Sequence, residues 1–276
     1  RSTRQSDTPV RVGMLYTSPE RYGMEQAILE RGAGAFEPVV WLPEPCSVEG
    51  GLELARVFVE HNVEAVIGGG CSSTALGLQQ ILAPAGIPQI AYAATSQRFD
   101  NATAFPFFLR TCPSETPEVD AIVSVIANWG WQRMALIAAD DPYSQTLAGQ
   151  LRDALPAAVF VSFAASLTDP TGEAIRPLLA ELRALRVVIA IGLASDVKRV
   201  LVAAHREGFA EQGCTFVTGS TIGVMLPVDT KEEVVATHGV LGVRLAVPNG
   251  PLLQRMVTLY ASVGLRFRSY CAYAYD

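Results

Sequence analysis

Short apolar runs rich in β-branched residues alternate along the chain with longer stretches whose apolar positions recur at helical spacing. The pattern predicts a first strand at Val10–Tyr16 and a helix at Glu20–Gly32 with Met24, Ile28 and Leu29 on one side. A second strand at Phe36–Leu42 and a helix at Val48–His61, turning Leu52, Ala55, Phe58 and Val59 inward, follow. Val63–Ile67 is a third strand, after which Gly68, Gly69 and Gly70 let the backbone turn tightly. The next helix starts at Ser72, Ser73 or Thr74, carries Leu76, Leu78, Ile81 and Leu82 on its apolar side, and ends at Gly86 before Pro88. Ile87–Tyr92 is a fourth strand. Repeated βα units of this length imply a parallel, doubly wound sheet with right-handed crossovers.

The rhythm breaks at NATAFPFFLRTCPSETP, Asn101 to Pro117, an irregular aromatic and proline segment that reads as the crossover between two lobes. It then restarts with helix Glu118–Trp129, strand Arg133–Ala138, helix Tyr143–Leu155, strand Val159–Phe163 and helix Thr171–Leu185. Strand Val187–Ile191, helix Asp196–Glu207 and strand Thr215–Thr218 complete this set. Gly239–Val247 reads as a strand returning to the first lobe and Leu252–Val263 as a helix on it; Ser269–Asp276 begins another helix, and the chain breaks off there. The expected architecture is a two-lobed α/β protein, each lobe a parallel sheet flanked by helices: 1–115 the first part of lobe 1, 116–238 lobe 2, and 239–276 a return to lobe 1.

In such sheets the turns after the strands fall on one edge, where open α/β folds bind ligands. In the first lobe that edge gathers Gly70-Cys71-Ser72-Ser73-Thr74 and Ala93-Ala94-Thr95-Ser96. Free N–H groups at the helix start and the hydroxyls of Ser72 and Thr95 suit a small anion such as a carboxylate, held without a formal cation. Ser and Thr at a helix start are also ordinary caps. The second lobe has its own row of turns, at Asp140–Tyr143, Gly192–Asp196 and Gly219–Thr221, and ligand pockets favour clefts between such lobes.

Composition narrows the picture. The 276 residues are half hydrophobic and 17% charged, enough for two cores and against wholesale disorder. A net charge of -6 with no basic block argues against nucleic acid as a partner. The longest apolar region, Val187–Ala204, is interrupted by Asp196, Lys198 and Arg199 and cannot span a bilayer; the polar start RSTRQSDTP has no signal-peptide core. A targeting or membrane segment is therefore expected only in a longer precursor. The five cysteines form no CxxC pair and His61, His205 and His238 show no ligand spacing, so no metal is expected. Asn101-Ala102-Thr103 is a glycosylation sequon in a surface loop, which fits a secreted protein.

Enzyme signatures fail one by one. Gly68-x-Gly70 lacks the third glycine of a dinucleotide fingerprint, since Ser73 stands there, and no phosphate-cradling GxxxxGK[ST] exists. In Gly219-Ser220-Thr221-Ile222-Gly223 the serine is one place too early for a nucleophile elbow. Asp140 and Asp141 are adjacent on an extended chain and point apart, so capping explains them better than paired catalysis. Trp129 and Trp131 are expected in the core rather than stacked on a nucleotide. No catalytic constellation and no cofactor follow.

Taken in order, GGGCSST, IPQIAYAATS, FPFFLRTCPSE, WGWQRMALIAADDPYS and the terminal YCAYAYD resemble the extracellular "Venus flytrap" ligand-binding region of metabotropic glutamate and GABA receptors. That region is similar in turn to bacterial leucine/isoleucine/valine-binding proteins, a periplasmic-binding-protein type I fold. The resemblance runs from about residue 10 to the C-terminus.

It implies that Ser72, with Ser73 beside it, and Thr95 hold a ligand carboxylate, that the backbone at Ala93 falls in the site, and that Tyr143 of DDPYS closes over the ligand from the second lobe. Thr221 stands where glutamate-type members place an acid for the ligand's amino group, so an ammonium would forgo there a charge-assisted bond of about 1.5–3 kcal/mol. A Cys46–Cys71 disulfide is implied as well; Cys112, Cys214 and Cys271 receive no partner. The function implied is the ectodomain of a class C G-protein-coupled receptor on the outer face of the cell membrane. It would bind a small amino-acid-like ligand, signal by cleft closure and form a homo- or heterodimer through lobe 1, with the membrane reached only through segments absent from this chain. The alternatives are a periplasmic amino-acid-binding protein of a transporter and the ectodomain of a cyclase- or kinase-linked receptor.

Overall fold

The computed structural model describes residues 8–16, 18–32, 34–166, 168–169, 171–209, 211–221, 230–243, 250–251, 254–255 and 257–258. The chain divides into two compact units, Arg1–Ser114 with Ala246–Asp276, and Glu115–Leu245. Each is built on one parallel sheet.

The first unit contains β1 (Val10–Tyr16), α1 (Ser18–Ala27, continued by a π-helical turn at Ile28–Gly32), β2 (Phe36–Pro43), α2 (Val48–Glu60), β3 (Ala65–Ile67), α3 (Ser72–Leu82), β4 (Gln89–Ala91) and β5 (Phe108–Arg110). Its five strands run in the order β2-β1-β3-β4-β5. Strand residues alternate faces, so Leu15 and Val66 pack with Ala55, Phe58, Leu78 and Leu82 of α2 and α3, while Val12 and Met14 pack on the other face with Met24 of α1. β5 lies inside the segment read as irregular from sequence. It pairs with β4 through only three residues, too few for a period to show beside Pro106 and Pro113.

The second unit contains α4 (Thr116–Asn128), β6 (Ala135–Ala139), α5 (Pro142–Ala154), β7 (Val159–Phe163), α6 (Ile175–Leu182), β8 (Val187–Ile191), α7 (Ala194–Arg206), β9 (Thr215–Thr218), α8 (Lys231–Ala236) and β10 (Leu241–Gly242). Its order, β10-β9-β8-β6-β7, repeats the topology of the first sheet. The central strands β6 and β8 are buried throughout, which is why ALIAA and VVIAI read as unbroken apolar runs. Ile137, Ala139, Val188 and Ala190 face one core with α6 and α7; Leu136, Ala138, Ile189 and Ile191 face the other with α4 and α5.

Sequence and structure part in three further places. The part of Gly239–Val247 seen as strand, Leu241–Gly242, pairs with β9 of the second sheet rather than with the first; 244–249 lie outside the described residues. Of the helix expected at Leu252–Val263 only 254–255 and 257–258 are described, and Ser269–Asp276 with Cys271 is outside. Trp129 is 64% exposed rather than core, because it sits at the C-cap of α4 and leans on Trp131 (ring centroids 5.2 Å apart), which packs against the core instead.

α2 and α3 approach so closely that both contact points are glycine. A Cβ on Gly77 would lie 2.1 Å from the Val48 carbonyl oxygen and 3.0 Å from Gly51 Cα, and one on Gly51 would lie 2.4 Å from the Thr74 carbonyl oxygen. Those neighbours are backbone, so only a shift of a whole helix relieves the clash. Gly77→Ala is expected to destabilise by about 1–3 kcal/mol despite alanine's better helix propensity. Gly149→Ala, in α5 with open space around it, should stabilise by about 0.5–1 kcal/mol. Paired thermal melts check both; equal effects of the two substitutions would contradict the close packing.

Candidate functional site

The carboxyl edge of the first sheet is formed by the turns after β3 and β4. Gly68 and Gly69 take φ of 142° and 96°, turning the chain from β3 toward α3. The buried Gln89 side-chain amide donates to the Gly68 carbonyl at 3.0 Å and accepts from Gln79 at 2.9 Å, fixing the turn from below. Glu44, just after β2, fixes it from the side. Its carboxylate accepts the Gly70 and Cys71 N–H groups, both at 2.8 Å, and the Tyr92 hydroxyl at 3.1 Å. Burial pushes the Glu44 carboxyl above its ordinary range, against the lowering effect of those donors. A disulfide joins Cys46 to Cys71, as the resemblance implied, with Cα atoms 5.5 Å apart. Closing a 25-residue separation is worth about 3–4 kcal/mol on the chain-entropy account.

These ties leave the start of α3 open. Cys71 occupies the N-cap but makes no side-chain cap bond. The N–H groups of Ser72, Ser73 and Thr74 have no acceptor among the described residues. Ser72 is buried, and its Oγ accepts the Ser96 N–H at 3.2 Å, which joins the two polar turns and leaves its own proton to donate elsewhere. Thr95 and Ser73 are buried too, and their hydroxyls have no partner among the described residues. Arg110 of β5 staples the second turn by donating to the Ala94 and Ser96 carbonyls at 3.3 and 3.0 Å. Ala93 sits half-buried in that turn, and Asn101 is exposed beyond it, its Oδ1 accepting from Thr103 and Ala104. Ser72, Ser73, Ala93 and Thr95 therefore share one edge.

Tyr143 and Thr221 belong to the second unit. Tyr143 is buried in the first turn of α5, among the cluster that holds Val119, Ile122 and Leu147. Thr221 Oγ1 donates to the Gly192 carbonyl at 2.7 Å, joining the turns after β8 and β9. Glu118 accepts the Ser220 N–H at 2.9 Å in the same place. Asp141 caps α5 by accepting from Tyr143 and Ser144 N–H, as its position after β6 suggested. Asp196, fully buried at the start of α7, accepts the Ser166 and Leu193 N–H groups. Burial pushes the carboxyls of Glu118, Asp141 and Asp196 above the ordinary range, and Asp141 adds to the effect on Asp196. Sequence reasoning missed Glu44, Glu118 and Arg110. The one available signal was position, since Glu44 follows a strand two residues before a cysteine and Arg110 ends an apolar triplet.

Two parallel doubly wound sheets of matching strand order, each presenting an edge of polar turns, make the periplasmic-binding-protein type I fold. The leucine-binding protein LivK of Thermotoga maritima shares it with a TM-score of 0.81 at 17% identity, over 97% of this chain and 80% of that one. So does an ABC-transporter solute-binding protein of R. palustris solved with 4-hydroxybenzoate, with a TM-score of 0.79 at 14% identity, over 97% of this chain and 78% of that one. The model of the family described as receptor family ligand binding region matches residues 30–276, and the chain belongs to that family. Metabotropic glutamate receptor 6 of Oryctolagus cuniculus is 30% identical over 135 residues, 47% of this chain. Taste receptor type 1 member 2 of Rattus norvegicus is 35% identical over 88 residues, 32% of this chain. The chain spans 15% and 10% of the lengths of these two receptors. These relatives are receptors and solute-binding proteins, and the chain is a binding region rather than an enzyme. Among the described residues no helix is long and apolar enough to cross a membrane.

The raised Glu118 carboxyl gives a signed prediction. A carboxyl that holds its proton more tightly when folded contributes stability in full below its unfolded value, and loses it as pH rises through the folded value. Glu118→Gln keeps the oxygen that accepts the Ser220 N–H and removes the charge. As pH rises above about 4, the ordinary glutamate range, the variant should gain melting temperature relative to wild type. A difference that is flat or falls with pH would show that burial of Glu118 does not set its ionisation.

Proposed function

We propose that this chain is the extracellular ligand-binding region of a class C G-protein-coupled receptor of the glutamate and GABA type, and that it binds a small carboxylate-bearing, amino-acid-like molecule. The supporting observation is the start of α3, where three backbone N–H groups without acceptors stand beside the Ser72 and Thr95 hydroxyls. A carboxylate there receives backbone N–H bonds and two hydroxyl bonds, and the positive end of the helix dipole favours its charge. Tyr143 and Thr221 are the proposed contacts of the second lobe. Ligand reaching both lobes would bias closure, since only differential affinity for the shut state shifts the equilibrium. A dimer formed through the first lobe, and a glycan on exposed Asn101, complete the proposal.

A thermal-shift screen against amino acids, GABA and small dicarboxylates tests the site. A ligand at about a hundred times its Kd adds roughly 2.7 kcal/mol to stability. Ser72→Ala and Thr95→Ala should each weaken the response by about 1.5–3 kcal/mol, the value of a hydrogen bond to a charged group. Variants that respond like wild type would place the carboxylate elsewhere.

A further inference from the structure

On the face of the second sheet that carries α6 and α7, a cavity of about 300 Å³ opens where these helices meet α8. Arg176, Lys198, Arg199 and Arg206 line it, against the two carboxylates Glu173 and Glu233. The arginines reach it with donors still unspent. Arg176 uses Nε and Nη2 on Glu207, at 3.0 and 2.8 Å, and Arg206 uses Nε and Nη2 on Glu232, at 2.7 and 2.8 Å. Neither Nη1 has an acceptor among the described residues. Arg199 spends Nη1 on Asp196 and Nη2 on the Ala164 carbonyl and Asp169, while its Nε is buried with no acceptor. The space before that Nε is kept by Gly172 at φ +73°, whose Cβ, if present, would lie 3.4 Å from it.

A buried guanidinium N–H without an acceptor is costly, and a bound oxygen removes the cost. Guanidinium N–H groups bond strongly to the oxygens of tetrahedral oxyanions, and the donors left over here, Nη1 of Arg176 and of Arg206 and Nε of Arg199, give one bond each. Each lining cation already has a carboxylate partner, Lys198 with Glu233 at 2.9 Å among them, so the group is held by the N–H donors those pairs leave over rather than by excess positive charge. We propose that this cavity binds a phosphate or sulfate group through Arg176, Arg199 and Arg206. It is separate from the carboxylate site on the first unit and does not depend on it.

Titration of the full chain with inorganic phosphate, pyrophosphate and a heparin-derived sulfated disaccharide, each against sodium chloride at equal ionic strength, tests the proposal by melting temperature and calorimetry. At least one probe should bind saturably beyond chloride; a phosphate or the sulfated sugar, whichever does so, names the source of the group. The double variant R176Q/R206Q changes only exposed ion pairs, so its melting temperature in chloride should stay close to wild type while binding weakens roughly tenfold or more. Glu232→Gln frees the Arg206 fork and should tighten binding. If no probe exceeds chloride, or the double variant binds as wild type does, the cavity is only a network of internal ion pairs.

Discussion

Glu44 and the Cys46–Cys71 bridge hold one turn from two directions, and the polar edge of the first unit depends on where they put it. Three glycines in succession would otherwise leave that turn loose. The Glu44 carboxylate takes the N–H groups of Gly70 and Cys71, so the first donors left without acceptors begin one residue later, at Ser72. The bridge commits the Cys71 side chain, and the N-cap position of α3 consequently carries no oxygen to close the helix. An unfilled helix start and a rigid turn are thus produced by the same two residues.

The second unit has a filled helix start at α5, where Asp141 accepts the Tyr143 and Ser144 N–H groups, but not at α7. Its strand order is the same, and β8 and α7 occupy the places that β3 and α3 occupy in the first. There Asp196 lies fully buried and accepts the N–H of the N-cap Leu193 and that of Ser166, while the Ala194 and Ser195 N–H groups have no acceptor among the described residues. At these equivalent junctions a carboxylate takes the N-cap N–H in both units, Glu44 at Cys71 and Asp196 at Leu193, and the first N–H groups of both helices have no acceptor among the described residues. The buried hydroxyls of Ser72, Ser73 and Thr95 on the edge that carries the α3 start favour the first unit as the place where a ligand's carboxylate is received.

The doubly wound architecture was legible because strands buried on both faces leave unbroken apolar runs, as at Ala135–Ala139 and Val187–Ile191, and because glycine and proline punctuate the joints. Short paired elements were not. β5 and β10 have three and two residues, and a two-fold period cannot be read from so few. Ser72, Ser73 and Thr95 were legible as strand-end hydroxyls. Glu44 and Glu118 were not, because their partners, Gly70, Cys71 and Ser220, are 26, 27 and 102 residues away and are backbone groups that no side-chain pattern marks. Trp129 shows the opposite failure: a large apolar side chain was assigned to the core, yet the helix end directs it outward.

The central claim is that the open N–H groups of α3 receive a ligand's carboxylate. Amide hydrogen exchange at Ser73 and Thr74, followed by NMR with and without a saturating carboxylate ligand, tests it at the atoms concerned. The account predicts that both amides exchange more slowly and shift on binding, while the Gly70 and Cys71 amides, already bonded to Glu44, change little. Binding that leaves Ser73 and Thr74 unaltered would contradict it.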